Sequence, residues 1–188
     1  MVPFNLANKP SKRLDAAALM SYALRTLGAR GQSRGELREK LARRAARAQD
    51  VDIVLGDLGR AGYLDDQRFA ESFASARLEN EGLGRARVLR DLRQRRVAPK
   101  LAEQVVEKTF RDRNEIDLID AYLTRKYRGK ELQSWLADEK NLASAYRRLR
   151  YAGFSSGNSI QVLKNYTHRA EELENIEEIP EGRDEFPV

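Results

Sequence analysis

Residues 61–73 read AGYLDDQRFAESF, and the adjacent aspartates in that run, Asp65 and Asp66, decide between two kinds of protein. Paired carboxylates serve acid–base or metal chemistry, which would make the chain an enzyme. The flanking residues fit a different role. With Asp65 as the N-cap of a helix, Leu64 stands at N′ and Phe69 at N4, the spacing of a hydrophobic staple. The Asp65 carboxylate then accepts a hydrogen bond from the amide of Gln67 or Arg68. Asp66, at N1, lies in the favourable field of the helix N-terminus. Gly62 ends the helix before it. Gly62, Tyr63, Leu64, Asp65, Asp66, Arg68 and Phe69 therefore read as a junction between two helical modules. No histidine, lysine or glycine-rich loop is obviously paired with the two carboxylates, so the catalytic reading lacks its other groups.

Working outward, the same order of helices occurs on both sides of the junction. Upstream, Leu19, Tyr22, Ala23 and Leu27 recur at helical steps, and Gly28 and Gly31 end that run. Ser33-Arg34-Gly35-Glu36 has capping-box spacing and opens a second helix with Leu37 and Leu41 inward. A third starts near Asp50 and buries Val51, Val54, Leu55 and Leu58. Downstream, Asp65–Glu79 places Phe69, Phe73 and Ala76 on one stripe, and Gly84–Arg96 turns Val88, Leu89 and Leu92 inward. Pro99 suits the first turn of the next helix, which buries Leu101, Val105 and Val106. A third round carries Ile116, Ile119, Tyr122, Leu123 and Tyr127, then Leu142, Tyr146 and Leu149. It ends in a helix capped by Ser155 or Ser156 with Ile160 and Leu163 inward. Lys130–Ala137, with the single tryptophan Trp135, fits no clear pattern.

Nothing alternates with a period of two, so no strand is expected and the fold class is all-α. REKLARRAA (38–46), LRDLRQRRV (89–97) and YRRLRYAGF (146–154) align with Leu41, Leu92 and Leu149 in register, at spacings of 51 and 57 residues. That is internal repetition of a three-helix unit. The expected organisation is a loose arm over 1–13, repeats over 14–63, 64–111 and 112–168, and an acidic, disordered tail over 169–188. Units this small must pack edge to edge to be stable, so an elongated, curved protein is expected.

Composition removes several classes of function. The 188 residues include no cysteine and one histidine, His168, which takes away disulfides, thiolate zinc sites and the parts of most Ser–His mechanisms. No cofactor or metal site is expected, although an all-carboxylate magnesium site is formally open. No apolar run approaches the ~20 residues of a membrane span, and the N-terminus lacks the apolar core of a secretory signal. A cytoplasmic monomer without membrane contact is the simplest expectation.

Charge is unevenly spread. Residues 171–188 hold eight acids and one arginine, leaving residues 1–170 with 34 bases against 21 acids, a net of +13. A strongly basic body suggests a polyanionic or acidic partner; the plain alternative is a solvated helix face. The basic clusters lie on the second helix of each round. They comprise Arg38, Lys40, Arg43, Arg44 and Arg47; then Arg85, Arg87, Arg90, Arg93, Arg95, Arg96 and Lys100; then Arg147, Arg148 and Arg150. Arginine dominates over lysine, which favours planar, bidentate pairing with phosphate or carboxylate. Few aromatics interleave, so base stacking on single strands is not indicated, whereas a helix-turn-helix approach to a DNA groove is open. Gly28, Gly31 and Gly35 match no phosphate-loop spacing and follow no strand, so they are helix ends.

SRGELREKLARR (33–44), VLGDLGRAGYLDDQRFAESFASAR (54–77) and GRARVLRDLRQRRV (84–97) together resemble the RecX regulatory proteins of bacteria. The Gly-Tyr-Leu-Asp-Asp-x-Arg-Phe-Ala core at Gly62 to Ala70 is the most specific part. YRRLRYAGFSSGNSIQVL (146–163) resembles the family's C-terminal Arg-x-Gly-Phe-Ser element, with Ala152 where a basic residue is common. The resemblance covers roughly residues 15–165. It implies three tandem three-helix repeats, no catalytic residues, and a partner, the RecA recombinase filament on DNA. It also implies negative modulation of RecA ATP hydrolysis, strand exchange and co-protease function. Direct binding of single- or double-stranded DNA, independent of RecA, is the rival expectation. The solvent-facing arginines of the central repeat, Arg90, Arg93 and Arg96, are expected to carry much of the binding.

Overall fold

The computed structural model describes residues 13–175. Ten α-helices follow in order: α1 Ala16–Ala29, α2 Arg34–Ala42, α3 Ala48–Arg60, α4 Asp66–Glu81, α5 Arg85–Gln94, α6 Pro99–Phe110, α7 Glu115–Lys126, α8 Leu132–Leu136, α9 Glu139–Tyr151 and α10 Ser156–Lys164. A 3-10 helix over His168–Asn175 follows α10. The described residues contain no strand, only an isolated parallel bridge between Leu14 and Ala45. The fold is all-α and built of three-helix repeats, with α8 as an added short helix in the third. No helix among the described residues is long and apolar enough to cross a membrane.

Contacts gather the chain into two compact units. One runs through Ser72 and takes in Leu92–Ala102; the other holds Phe73–Asp91 and the chain from Glu103. The division passes through α4, α5 and α6, so the helices of the central repeat contribute to both units.

In the first unit Leu19, Leu37, Leu41, Leu55 and Leu58 are each at most 1 % exposed, and Leu64 joins their cluster from the junction. Each such leucine contributes about 1.5–3 kcal/mol by leaving water. The capping box on Ser33 and Glu36 is formed. α3 opens at Ala48, two residues earlier than its apolar pattern suggested. Asp50 lies in its first turn and is buried, paired with Arg47 at 3.3 Å. Gly62 has φ +76 and the Tyr63 amide donates to the Leu58 carbonyl, which ends α3 in a left-handed turn.

The second unit has its own core around Ile119, Leu123, Leu136, Leu149, Phe154 and Leu163. Trp135 packs partly buried against it, its ring 4.3 Å from that of Tyr127. The segment without a clear pattern thus forms α8, capped by the Glu131 carboxylate on the amides of Gln133 and Ser134. The last helix begins after Ser155, whose side chain caps nothing in α10 and instead donates to Glu115 of α7.

Two further expectations change. The buried stripe of α4 is Ala70, Ala74 and Leu78 rather than Phe69, Phe73 and Ala76. The phenylalanines stay half-buried because guanidinium groups cover them, Arg95 over Phe69 and Arg77 over Phe73, each in its own unit. Second, residues 169–175, assigned to a disordered tail, lie in the 3-10 helix, where Ala170 and Leu173 are buried in the second core. The loose arm over 1–12 and the tail over 176–188 lie outside the described residues.

Candidate functional site

The aspartate pair serves the starts of two helices. Asp65 Oδ1 accepts the Arg68 amide at 2.9 Å, closing the first turn of α4. Asp66 Oδ1 reaches away from its own helix and accepts the Arg34 amide, the first of α2, at 2.6 Å. Both carboxylates are engaged with backbone donors, and Tyr63 beside them is 62 % exposed.

The arginines of the second helices divide by exposure. Arg38, Arg43, Arg44, Arg85, Arg93, Arg96, Lys100 and Arg147 are exposed, whereas Arg87, Arg90, Arg95, Arg148 and Arg150 are half-buried. Of the half-buried group, Arg87, Arg90, Arg95 and Arg150 serve the places where one repeat meets the next, whereas Arg148 interacts with Tyr127 inside the third repeat. In the first unit the turn after α5 packs on the start of α2. The Ser33 hydroxyl donates to the Arg95 carbonyl. Arg95 pairs with Glu36 at 2.9 Å, donates to the Gly31 carbonyl at 3.0 Å and lies over the Phe69 ring. Four attachments in a partly buried place make it a structural residue.

The second unit repeats this joint. The turn after α9 packs on the start of α5, with the Gly84 amide donating to the Ala152 carbonyl at 2.8 Å and the Ala86 amide to that of Gly153 at 3.2 Å. Arg87 lies over the Tyr151 ring and pairs at 2.9 Å with Asp91, which is 4 % exposed and also faces Arg77. Burial works against the Arg87 charge, but the Tyr151 hydroxyl and the Asp91 carboxylate outweigh it and raise its pKa above the ordinary arginine value. Arg90 donates to the Tyr151 carbonyl, and Arg150 to that of Phe154.

The exposed group holds a different arrangement. In the first unit Arg43, the C-cap of α2, and Arg96 of the turn after α5 approach one carboxylate, Glu39, at 3.7 and 2.7 Å. Two repeats thereby bring two guanidinium groups to one counter-charge on an exposed face. Arg44 lies over the Tyr22 ring, and Arg38 pairs with Asp52. In the second unit Arg85 pairs with Glu107 and lies over Phe110. Sequence reasoning missed Glu39, the reach of Asp66 to α2, and Asp91 as a buried partner of two arginines. Only Asp91 left a signal, as the single acid inside the most basic segment.

The described residues hold no cluster of acids or histidine suited to a metal. What the surface can do is pair with phosphate or carboxylate groups through exposed guanidiniums.

The family model for the second three-helix domain of RecX matches residues 65–106, which run from Asp65 through α4 and α5 into α6. A regulatory protein RecX of Trichlorobacter lovleyi is 33 % identical over 134 residues, 71 % of this chain and 86 % of that protein. Regulatory protein RecX of Thermus thermophilus is 34 % identical over 145 residues, 77 % of this chain and 89 % of that one. Among solved structures, RecX from Lactobacillus salivarius superposes with a TM-score of 0.58 at 14 % identity, covering 80 % of this chain and 96 % of that one, a likeness of fold. The repeated joints, the junction motif and these relatives agree: the chain belongs to the RecX family of regulatory proteins.

Proposed function

We propose that this chain binds the RecA–DNA filament and restrains RecA ATP hydrolysis, strand exchange and co-protease activity as a non-enzymatic regulator. The observation that carries this reading is the convergence of Arg43 and Arg96, from two repeats, on the single carboxylate of Glu39. One acid between two exposed guanidiniums leaves a cationic face, on a body whose first 170 residues carry +13. Arg38, Arg44, Arg93 and Lys100 are exposed in the same unit and extend the set of groups that would meet phosphates or acidic side chains. Arg87, Arg95 and Arg150 are left out of the contact set, since each is engaged within the fold. A repeated architecture suits a repeated partner, because several modest contacts on linked modules add through effective concentration.

The test separates the filament from its components. Labelled protein is titrated with single-stranded DNA, double-stranded DNA, DNA-free RecA and the assembled RecA–DNA filament over a salt series. Binding to the filament is expected to exceed binding to either component. Equal affinity for bare DNA, with a steep salt dependence, would instead identify a direct DNA-binding protein.

A further inference from the structure

α7 runs out through the stretch TRKYRGK (124–130), which holds four bases and no acid. The backbone closes this end without their help. The Tyr127 amide donates to the Leu123 carbonyl at 2.9 Å and the Lys130 amide to the Tyr127 carbonyl at 3.0 Å, with Gly129 between them at φ +84.

Beside this end, within the second unit, lies a cleft of about 550 Å³ lined by Arg125, Arg128 and Lys130. No carboxylate lines it, and among the described residues none of the three cations pairs with one. The acids nearest in sequence are engaged elsewhere, Asp120 with the Tyr166 hydroxyl and Glu131 with the amides of Gln133 and Ser134. Two of the cations are held in place by uncharged groups. Arg125 donates to the carbonyls of Asn80 and Glu81. The Lys130 ammonium stands 4.2 Å from the centre of the Trp135 ring and 5.9 Å from that of Tyr127, contacts that fix a cation without neutralising it. Cations in a last turn also answer the negative end of the helix dipole, but that end amounts to about half a charge, against three cations here.

We propose that this cleft binds a phosphate ester carrying more than one negative charge, such as the diphosphate of a nucleotide or the terminal phosphate of a nucleic acid strand. Three cations without a counter-acid match such a group better than they match a lone peptide carboxylate. Arg125 and Arg128 offer forked donors to phosphate oxygens, and Lys130 a point charge. Thr124 adds a hydroxyl to the lining, and Ala121 and Leu132 leave apolar wall for the organic part of the ester. The cleft uses none of the residues assigned to filament binding and stands independently of that reading.

Titration of inorganic pyrophosphate into the full chain at constant ionic strength, followed by calorimetry and by tryptophan emission, tests the proposal. Trp135 is the single tryptophan, so the emission reports on the ammonium above its ring. Saturable binding at one site per chain is expected, with a change in emission as Lys130 turns from the ring to the anion. Arg128→Gln and Lys130→Gln, both at exposed positions, are expected to weaken binding about tenfold or more, as loss of one charge-assisted bond does. Arg113→Gln, which removes the same charge from the exposed segment before α7, is expected to bind like the unaltered protein. A nucleoside diphosphate and a single-stranded oligonucleotide with a terminal phosphate are titrated beside pyrophosphate, and the tighter of the two identifies the source of the phosphate. Heat and emission no different from those with sodium chloride at matched ionic strength would overturn the proposal. So would equal weakening in Arg113→Gln and Arg128→Gln, which would reduce the effect to net charge. Tighter binding of a glutamate-rich peptide than of any phosphate compound would overturn it too, making the cleft a surface for acidic protein.

Discussion

Gly35 in the first turn of α2 faces Arg96, and a Cβ added at Gly35 would lie 2.7 Å from the Cβ of Arg96. The equivalent pair in the second unit is reversed: Ala86 stands at the position of Gly35 and Gly153 at that of Arg96, where a Cβ would meet the Arg87 Cβ at 2.6 Å. In each joint a glycine stands where helix start and turn meet closely, Gly35 against Arg96 and Gly153, whose φ of +91 itself favours glycine, against Arg87. Gly35→Ala is therefore expected to destabilise the fold by about 1–3 kcal/mol, the range for forcing an extra methyl into a packed site. Gly28→Ala, in α1 with nothing within 4 Å of the added atom, is expected to be neutral or to stabilise by up to ~1 kcal/mol. Chemical denaturation of both variants checks the contrast.

The two junction aspartates are expected to act separately. Asp65→Ala removes the cap of α4, costing about 0.5–2 kcal/mol, and Asp66→Ala leaves the Arg34 amide at the start of α2 without its side-chain acceptor while the Ser33–Glu36 capping box stays, costing about 0.5–1.5 kcal/mol. Because the bonded amides belong to different helices, amide exchange should speed up at Arg68 in the first variant and at Arg34 in the second. Exchange rising at the same site in both would show that the carboxylates share one role.

Glu115, the first residue of α7, provides a pH-dependent tie to α10. Burial opposes its ionisation, but the hydroxyl and amide of Ser155, the Asn158 side chain and the charge of Arg85 outweigh it, so its pKa lies below the ordinary carboxylate value. A carboxyl with a lowered pKa in the folded state contributes stability that is fully present above the unfolded value, 4.5, and lost as pH falls through the folded one. Glu115→Gln is expected to flatten the fall of melting temperature below about pH 4.5. It should also lower stability at neutral pH.

Arg95 and Arg43 should separate folding from function. Arg95→Ala removes a half-buried ion pair, a bond to a carbonyl and the cover over Phe69, so a loss of about 1–3 kcal/mol is expected. Arg43→Ala removes one exposed pairing at 3.7 Å and should change stability by no more than ~0.5 kcal/mol. Its expected effect is on binding, with the larger loss in Arg43→Ala/Arg96→Ala. Thermal melting beside filament binding checks the split.

The helices were legible because Leu19, Leu37, Leu41 and their counterparts recur at helical period, and Ser33, Asp65 and Pro99 mark helix starts by local chemistry. The stripe of α4 was misplaced by one residue because hydrophobicity favours Phe69 over Ala70. Close packing selected the smaller side chain, and arginines covered the larger. α8 escaped because five residues are too few for a period to show. In the candidate site, the sequence placed arginines on the second helices. It did not separate Arg95, held by Glu36 and Gly31, from Arg43, since that difference depends on contacts some 60 positions apart. The same distance in sequence hid the convergence of Arg43 and Arg96 on Glu39.

Under the proposed function, this exposed basic surface carries the regulation of RecA. Its most direct test is the rate of RecA ATP hydrolysis on single-stranded DNA with increasing amounts of this protein, beside Arg43→Ala/Arg96→Ala at matched helicity. The rate is expected to fall with the unaltered protein and to fall less with the variant. An unchanged rate at saturating unaltered protein would contradict the account.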